Sequence, residues 1–421
     1  MRLRHNHIAA CVIGLMITLA AVAQNNTNSP YTRFGYGQLG MDAPGQLRAM
    51  GGVSTSMRDS RYINPSNPAS YSAVDSMTFM FDIGLAGQYS RFRADGGAEM
   101  GRWNANLEYV TMQFPLGRYL GFSAGFMPYS SVGYEFGGRD SVQIPVEAHQ
   151  QPRYAGYTLD FMGRGGISQV YAGLSAELFR HVSIGANAYY MWGDVDHYRT
   201  LQFDASTYES EEIFSSLKVS DFRFRFGIQA YHTFSKRHNV SLGVVYEPKK
   251  KLGSRYVKLE ANSNDTIVPF NSDSRFDLPT YIAIGLSYTL DDRLTVAFDY
   301  SQQQWSKAYY ENRKDSLQDA YRIGLGISYQ HNPYSRRYAD RVMWRVGTSL
   351  YNSYLKDASS SNFGISFGVG LPLRNSNSMI NATLEYNHHA AEPQMNLRED
   401  LFKLTVNAAF SEAWFHKRKI R

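Results

Sequence analysis

Four arginines occupy alternating positions in segments that have the pattern of β-strands: Arg223, Arg225, Arg322 and Arg345. A guanidinium group stays charged and can hold a carboxylate through paired, charge-assisted hydrogen bonds. One chemistry open to these residues is therefore the binding of an acidic head group. The other is structural, with ion pairs to acids on the same face, such as Glu177, Asp299 and Glu385. The structural interpretation is favoured, because buried charges are normally paired.

Motifs for catalysis and for cofactor binding are missing from the sequence. No Gly-x-Ser-x-Gly elbow accompanies the serine, histidine and aspartate residues. The glycine-rich run Gly163–Gly166 lies between two strand patterns with no helix after it, so it does not predict a phosphate-binding loop. We therefore expect no cofactor, no metal site and no enzymatic activity. A phospholipase or a protease is the enzymatic alternative.

The first residues have the pattern of a secretory signal. Arg2 and Arg4 precede an apolar run from Ile8 to Ala20, and Ala21-Val22-Ala23 follows as a small-residue cleavage site. This pattern predicts a cleaved signal peptide over residues 1–23, with an uncleaved membrane anchor as the alternative. The single cysteine lies inside that segment, so no disulfide framework is expected in the exported chain.

From about residue 76 onward, apolar residues alternate with polar or small ones, which is the period of a β-strand. In Tyr281–Leu290, for example, large apolar side chains share one face and small residues share the other. The segments are about 9 to 14 residues long, which suits tilted spans of a bilayer, and tyrosine and tryptophan gather near their ends. Together with the export signal, this pattern predicts a transmembrane barrel in the bacterial outer membrane rather than a soluble β-sandwich.

Short links alternate with longer ones, and this alternation predicts the number of strands. Leu116–Arg118 and Asp291–Asp292 are short, whereas Gly137–Gly166 and Lys249–Asp277 are long. Because outer-membrane barrels keep their short turns on the periplasmic side, we expect an all-β, antiparallel barrel of about 14 strands over residues 76–421. The loop Gly137–Gly166 carries enough apolar residues to receive a hydrophobic ligand before it enters the lumen. The alternative is that these residues pack over the barrel mouth or extend its strands. A further strand at Arg255–Ala261 is assigned to an outer hairpin.

Residues 24–75 do not alternate and are rich in glycine and proline. Two Asn-Pro steps stand out, Asn64-Pro65 and Asn67-Pro68-Ala69. Proline fixes φ and restricts the residue before it, and an asparagine side chain both donates and accepts hydrogen bonds, so these steps suit a rigid, buried turn. We expect a hatch that folds inside the lumen. A disordered tail is the alternative, and apolar residues such as Met50 and Val53 argue against it.

These residues resemble a known family. Arg48–Gly52 followed by Asn67-Pro68-Ala69 looks like the hatch of the FadL-like outer-membrane long-chain fatty-acid transporter family. Phe122–Tyr134 and Leu278–Leu290 are similar to strands of its barrel. The resemblance implies a fourteen-stranded barrel, a lumenal hatch and passive uptake of hydrophobic molecules such as long-chain fatty acids.

The expected partners follow from this interpretation. They are outer-membrane lipids and a hydrophobic small molecule. Nucleic acid is not expected, because the 43 basic residues form no concentrated stripe. The extra Asn64-Pro65 step departs from the family pattern, and related barrels with the same hatch pattern serve protein secretion. A barrel that assists protein secretion or outer-membrane assembly, with exported proteins as partners, is therefore the alternative function.

Overall fold

The computed structural model describes residues 27–94, 96–144, 153–205, 208–262, 265–272, 274–356, 362–373, 378–390 and 397–413, with backbone alone at 153 and 265–272. The predicted signal peptide lies outside these residues. Within them, no helix has the length and apolarity needed to cross a membrane.

The described residues form a closed, antiparallel barrel of fourteen strands, which confirms the predicted class and strand number. The strands are β1 (Thr78–Ala94), β2 (Glu99–Pro115), β3 (Leu120–Ile144), β4 (Arg153–Leu178), β5 (Val182–Phe203), β6 (Glu211–Phe234), β7 (His238–Glu247), β8 (Tyr281–Leu290), β9 (Leu294–Gln303), β10 (Ala320–Gln330), β11 (Met343–Tyr351), β12 (Asn362–Pro372), β13 (Met379–His389) and β14 (Leu397–Ala413). Each strand pairs with its neighbours in chain order. Pairing of β14 with β1 closes the ring.

The alternation of side chains sorts each strand into an outer and an inner face. On β8, Ile284 is 48% and Leu286 49% exposed on the outside, whereas Ala283, Gly285 and Ser287 are buried on the inside. Large apolar residues on the outer face suit contact with lipid, and the small inner residues leave room for a filled lumen.

Tight turns join the strands at one end of the barrel. Phe179–Arg180, Ser235–Lys236 and Asp291–Asp292 each place two consecutive residues at positive φ. Two positive φ angles are the geometry of a two-residue hairpin whose twist matches that of the strands. By the rule for bacterial barrels, this end faces the periplasm.

At the opposite end, several strands continue beyond the ring. The ladder between β3 and β4 runs out to Ile144 and Arg153. Among the roles expected for Gly137–Gly166, the described residues show the extension of the strands. The predicted outer hairpin is confirmed, because Ser254–Asn262 pairs with both β6 and Asp265–Ser272.

Thr27–Asp75, here called the lumenal segment, packs inside the ring. It contains a short helix α1 (Gly45–Arg48) and two 3₁₀ helices, Pro30–Arg33 and Pro68–Ala73. Many of its side chains are buried, among them Leu47 and Ile63.

The outer face of β8 generates a first prediction. Ile284→Arg should lower the free energy of unfolding by about 2–4 kcal/mol, because its charge would lie near mid-bilayer. Leu290→Arg, on the same face at the turn end, should cost only about 0–1 kcal/mol. Denaturant titration in lipid vesicles measures both values. Equal costs at the two depths would contradict the assignment of this face to lipid.

Candidate functional site

A belt of glycines on the inner wall lets the backbone of the lumenal segment approach closely. A Cβ atom at any of the following positions would meet atoms of that segment: Gly121, Gly173, Gly185, Gly227, Gly243, Gly285, Gly326, Gly347 and Gly368. At Gly347, for instance, it would collide with the backbone of Met50 and Gly51. The belt spans strands β3–β8 and β10–β12, so the segment is docked around most of the ring.

The two Asn-Pro steps form a turn that is bonded on both sides. The Asn67 side chain donates to Thr55 O at 2.6 Å and accepts from Ala69 N at 3.0 Å. Pro68 begins a 3₁₀ helix that Asn67 caps. The Ser183 hydroxyl donates to Ala69 O at 2.6 Å, which ties the turn to β5.

The first Asn-Pro step holds the neighbouring chain. Asn64 Nδ2 donates to Ser54 O at 2.7 Å and to Met57 O at 3.0 Å. Pro65 O accepts from Asn187 Nδ2 on β5 at 3.2 Å. The Asn64–Ala69 turn is thus a rigid element against the inner wall.

Two of the four candidate arginines share one ionic cluster. Arg225 pairs with Asp42 at 2.5 Å and also with Glu247, and Arg223 pairs with Glu247 at 2.6 Å. The Arg223 guanidinium also lies 3.9 Å from the centre of the Tyr189 ring. These arginines lie in the lumen as expected, and their charges are already matched by carboxylates.

The sequence-based prediction that these arginines pair with Glu177, Asp299 and Glu385 was wrong. Glu177 lies 3.5 Å from Arg58, and Asp299 accepts from the backbone N–H groups of Ser54 and Thr55. Glu385 lines the cavity and pairs with none of the four arginines at salt-bridge distance among the described residues. The true partners come from β7 and from the lumenal segment, which strand alternation alone does not bring together.

A second ionic cluster was not foreseen. Arg48 of α1 pairs with Glu108 on β2 at 2.5 Å, and Lys403 on β14 contacts the same carboxylate at 2.7 Å. Alternation places Lys403 on the inner face of β14, but Glu108 is the extra residue of a bulge in β2, which alternation does not reveal. The link to Arg48 depends on where the lumenal segment lies.

The other two arginines pair with no carboxylate among the described residues. Arg345 donates to Asn381 Oδ1 at 2.9 Å and contacts the sulfur of Met343, so its environment is closed. Arg322 donates through Nη2 to Gly51 O at 3.1 Å and to Ser349 Oγ at 3.0 Å. It is half-buried and borders the main cavity.

The main cavity has a volume of about 450 Å³ and lies between the lumenal segment and the outer half of the wall. It reaches a gap in the barrel. Strands β2 and β3 pair only between Val110–Pro115 and Gly121–Phe126, and no ladder joins their described outer parts. Residues from both sides of this gap line the cavity: Asn106, Leu107, Glu108, Pro128, Tyr129 and Ser131.

A bulge and the lumenal segment shape the gap. Tyr129 is the extra residue of a bulge in β3, since Pro128 pairs with Ser168 and Ser130 with the next residue, Ile167. Gln38–Leu39 of the lumenal segment pairs with Ser130–Ser131 as a short strand. The edge of β3 that does not pair with β2 is thus partly covered by the lumenal segment.

Aromatic side chains close the outer end of the lumen. Tyr36 of the lumenal segment packs against Trp305 with ring centres 5.5 Å apart and against Tyr310 at 5.3 Å. The hydroxyl of Tyr354 donates to Gly37 O at 2.7 Å, and that of Tyr310 donates to Gly35 O at 2.8 Å. This aromatic cap covers the cavity on the loop side.

One acidic residue anchors the loops of the cap. Asp277 is paired with Arg275 at 2.8 Å and with Lys249 at 3.1 Å. Burial disfavours its charged form, but these two cations outweigh that cost and hold the pKa of Asp277 below its ordinary value. The cap is therefore tied by charge as well as by ring packing.

Comparison with known proteins places this arrangement in a wider group. A family model described as BamG matches residues 6–421. Solved structures with a similar fold include the toluene transporter TodX of Pseudomonas putida (15% identity, 90% of this chain and 100% of that chain, TM-score 0.56). Another is the toluene transporter TbuX of Ralstonia pickettii (14%, 88% and 98%, 0.56).

A FadL homologue of Pseudomonas aeruginosa is similar in the same way (12% identity, 90% of this chain and 100% of that chain, TM-score 0.56). Among curated proteins, none matches this chain. At these identities the solved structures bear on fold alone, and they confirm the FadL-like resemblance at that level.

The glycine belt generates a second prediction. Gly347→Ala should displace Met50–Gly51 from β11 at a cost of about 1–3 kcal/mol, because the added methyl group overpacks the contact. The barrel ladder should survive. Trypsin should then cut the lumenal segment faster in the purified variant, while heat-modifiable gel migration stays normal.

A glycine on the outer face provides the matched control. A Cβ atom at Gly87 would meet nothing within 4 Å, so Gly87→Ala should leave both measurements unchanged. Identical trypsin rates for the two variants would show that the belt does not hold the segment.

Proposed function

Because the chain belongs to the BamG family and folds as a barrel with a lumenal cavity and a lateral gap, we propose that it is an outer-membrane transport protein. It takes up hydrophobic molecules such as long-chain fatty acids passively, without a cofactor or a catalytic step. The fold fits the outer membrane, and a cleaved signal peptide over residues 1–23 is the export route. The fold-level relatives described as toluene transporters support this class of solute.

The gap between β2 and β3 is the observation that carries the proposal. A fully paired barrel gives an apolar solute no way into the membrane through its wall. Here the wall lacks its ladder beside the cavity, and Leu107 and Pro128 present apolar surface there. A solute that enters the cavity from outside can therefore leave sideways into the lipid.

The lumenal segment acts as the hatch in this mechanism. It fills the periplasmic half of the lumen through the glycine belt and the Asn64–Ala69 turn, so a straight path into the periplasm is obstructed. Its outer part, Phe34–Gly40, is held by the aromatic cap and by the short strand at β3. Movement of that outer part admits the solute.

Arg322 is the residue best suited to hold an acidic head group. Arg223 and Arg225 are paired with Asp42 and Glu247, and Arg345 is enclosed. Arg322 alone among the four combines access to the cavity with no described carboxylate at salt-bridge distance. A fatty acid would place its carboxylate there and its chain toward the gap.

Removal of the bulge tests the lateral route. Deletion of Tyr129 should let β3 run straight beside β2 while its register with β4 is preserved, because Tyr129 is the unpaired residue. We expect slower uptake of labelled oleate by cells that carry equal surface amounts of the variant. Substitution by Phe at the same position keeps the bulge and serves as the control.

The outcome also separates the two functional classes. Uptake that depends on the wild-type protein and falls with the Tyr129 deletion supports lateral transport. Uptake that is the same with and without the protein would overturn it. A specific defect in exported or outer-membrane proteins on deletion of the chain would then favour the secretion or assembly role.

A charge substitution tests the head-group site. Arg322→Gln should weaken laurate binding about tenfold or more, because a hydrogen bond to a charged group contributes about 1.5–3 kcal/mol. Binding of dodecanol, which has the same chain and no charge, should change little. Calorimetry on the detergent-solubilised protein gives both affinities, with Arg322→Lys as the charge-preserving control. An equal loss for acid and alcohol would contradict the assignment.

A further inference from the structure

Glu385 lies on the inner face of β13 and lines the main cavity. It is only 7% exposed, and its Oε2 atom is shielded from solvent without a hydrogen-bond partner. In the described part of the chain, no basic side chain lies at salt-bridge distance from it. Buried charges are normally paired, so an unpartnered carboxylate that faces a cavity points to a ligand.

The two residues directly across from Glu385 in the sheet are engaged elsewhere. Ser366 on β12 and Lys403 on β14 are its neighbours in the two ladders. The hydroxyl oxygen of Ser366 accepts from Gly51 N at 2.9 Å. The ammonium group of Lys403 contacts Glu108 at 2.7 Å. Neither neighbour is therefore the partner of Glu385.

The nearest cation of the lumenal segment is committed as well. Arg48 attracts Glu385 through space, but each nitrogen atom of its guanidinium already has an acceptor. Nη1 donates to Glu108 at 2.5 Å, and the other two nitrogen atoms donate to backbone carbonyl groups at 2.8 and 2.9 Å. The charge of Arg48 is thus matched mainly by Glu108, which leaves Glu385 without a direct contact.

The charges around the cavity as a whole favour a cation. Among the residues that the structure describes, six acidic residues and five arginine or lysine residues line the cavity, with histidine counted as neutral. An anionic solute adds to this excess of negative charge. A solute with one positive charge balances it.

A second oxygen atom is available beside the carboxylate. Asn387 lies two residues further along the same face of β13 and lines the same cavity. Its side-chain amide provides one acceptor oxygen, and Glu385 provides carboxylate oxygen atoms. An ammonium group has three N–H donors and no acceptor, so it suits a site built from such oxygen atoms.

The position of Glu385 relative to the gap suits a solute with a long chain. Strand β13 is three strand spacings from β2, which is about 14 Å along the wall. Leu401 on β14 and Leu107 on β2 line the cavity in that direction. A head group at Glu385 therefore leaves an alkyl chain pointing over apolar surface toward the gap.

We propose that Glu385 binds the ammonium group of a long-chain amphiphile, so that the solutes of this barrel include long-chain amines. The inference rests on the proposed transport function and adds a second head-group site to it. The two sites are on different strands. Arg322 on β10 receives an acid, and Glu385 on β13 receives an amine.

Binding to the unaltered protein gives the first test. Dodecylamine and dodecanol have the same chain, and only the amine is charged at neutral pH. Calorimetry on the protein in a non-ionic detergent should show that dodecylamine binds about tenfold or more tightly than dodecanol. Equal affinities would overturn the proposal, and this result does not depend on the folding of any variant.

A substitution of similar shape gives the second test. Glu385→Gln should weaken dodecylamine binding about tenfold or more and leave dodecanol binding nearly unchanged, because only the charged partner is lost. Heat-modifiable migration checks that the variant forms a barrel. An equal loss for the amine and the alcohol would contradict a charge-specific site.

Glu399→Gln is the matched control. It removes the same charge from the cavity lining, but Glu399 already accepts a hydrogen bond from the Ser29 hydroxyl at 2.7 Å. Dodecylamine binding should change little in this variant. An equal loss in both variants would show that the overall charge of the cavity attracts the amine, and would overturn the site at Glu385.

The binding measurements and the uptake measurements can fail separately. If oleate uptake does not depend on the protein while amine binding depends on Glu385, the transport function is wrong and the Glu385 site stands. If oleate uptake depends on the protein while dodecylamine binding is the same with and without the Glu385 carboxylate, the Glu385 site alone is wrong.

Discussion

The apolar bilayer requires each backbone N–H and C=O group of the wall to find a partner within the protein. Fourteen strands meet this requirement by closing into a ring, with β14 on β1. The junction of β2 and β3 is where the ladder is incomplete. There the lumenal segment takes over, since Gln38–Leu39, Gly40 and Thr32 all bond to β3. The segment is thus part of the wall as well as its filling.

The ring also limits what can fill it. A backbone can lie against a strand only where the facing residue lacks a side chain, so the glycine belt determines the path of the lumenal segment. Charges then select its position. Asp42 pairs with Arg225 on β6, and Arg48 pairs with Glu108 on β2, four strands away in the ring. Because desolvation offsets much of the attraction in buried ion pairs, these contacts contribute more to position than to stability.

Strand number and face were predictable because the period of a strand is local in the sequence. Ile284 and Gly285 are assigned to opposite faces by adjacency alone, and the structure agrees. The partner of Arg225 was not predictable in this way. Glu247 lies on the next strand, but its pairing depends on the register of β6 and β7, and Asp42 belongs to a segment without periodicity.

The extension of β3 and β4 was only one of the expectations for Gly137–Gly166, for a related reason. Alternation continues through Val142 and Ile144 whether a strand crosses lipid or stands in water, so the pattern does not mark where the membrane ends. The bulge at Tyr129 could not be predicted from the alternation either. One inserted residue changes the local geometry of a ladder without any change in composition, and this bulge lies beside the gap.

The contacts of the lumenal segment differ in strength along its length, and this bears on how the gap opens. The Asn64–Ala69 turn is fixed by side-chain amides on both sides, and Asp299 holds Ser54 and Thr55 through two backbone donors. The outer part has a ladder of only two residues, Gln38–Leu39, preceded by Gly35 and Gly37 at positive φ. A solute that must displace something will therefore displace Phe34–Gly40 before the turn. Opening at that place exposes more of the β3 edge while the periplasmic half of the lumen stays filled, so passage toward the lipid does not require a continuous pore.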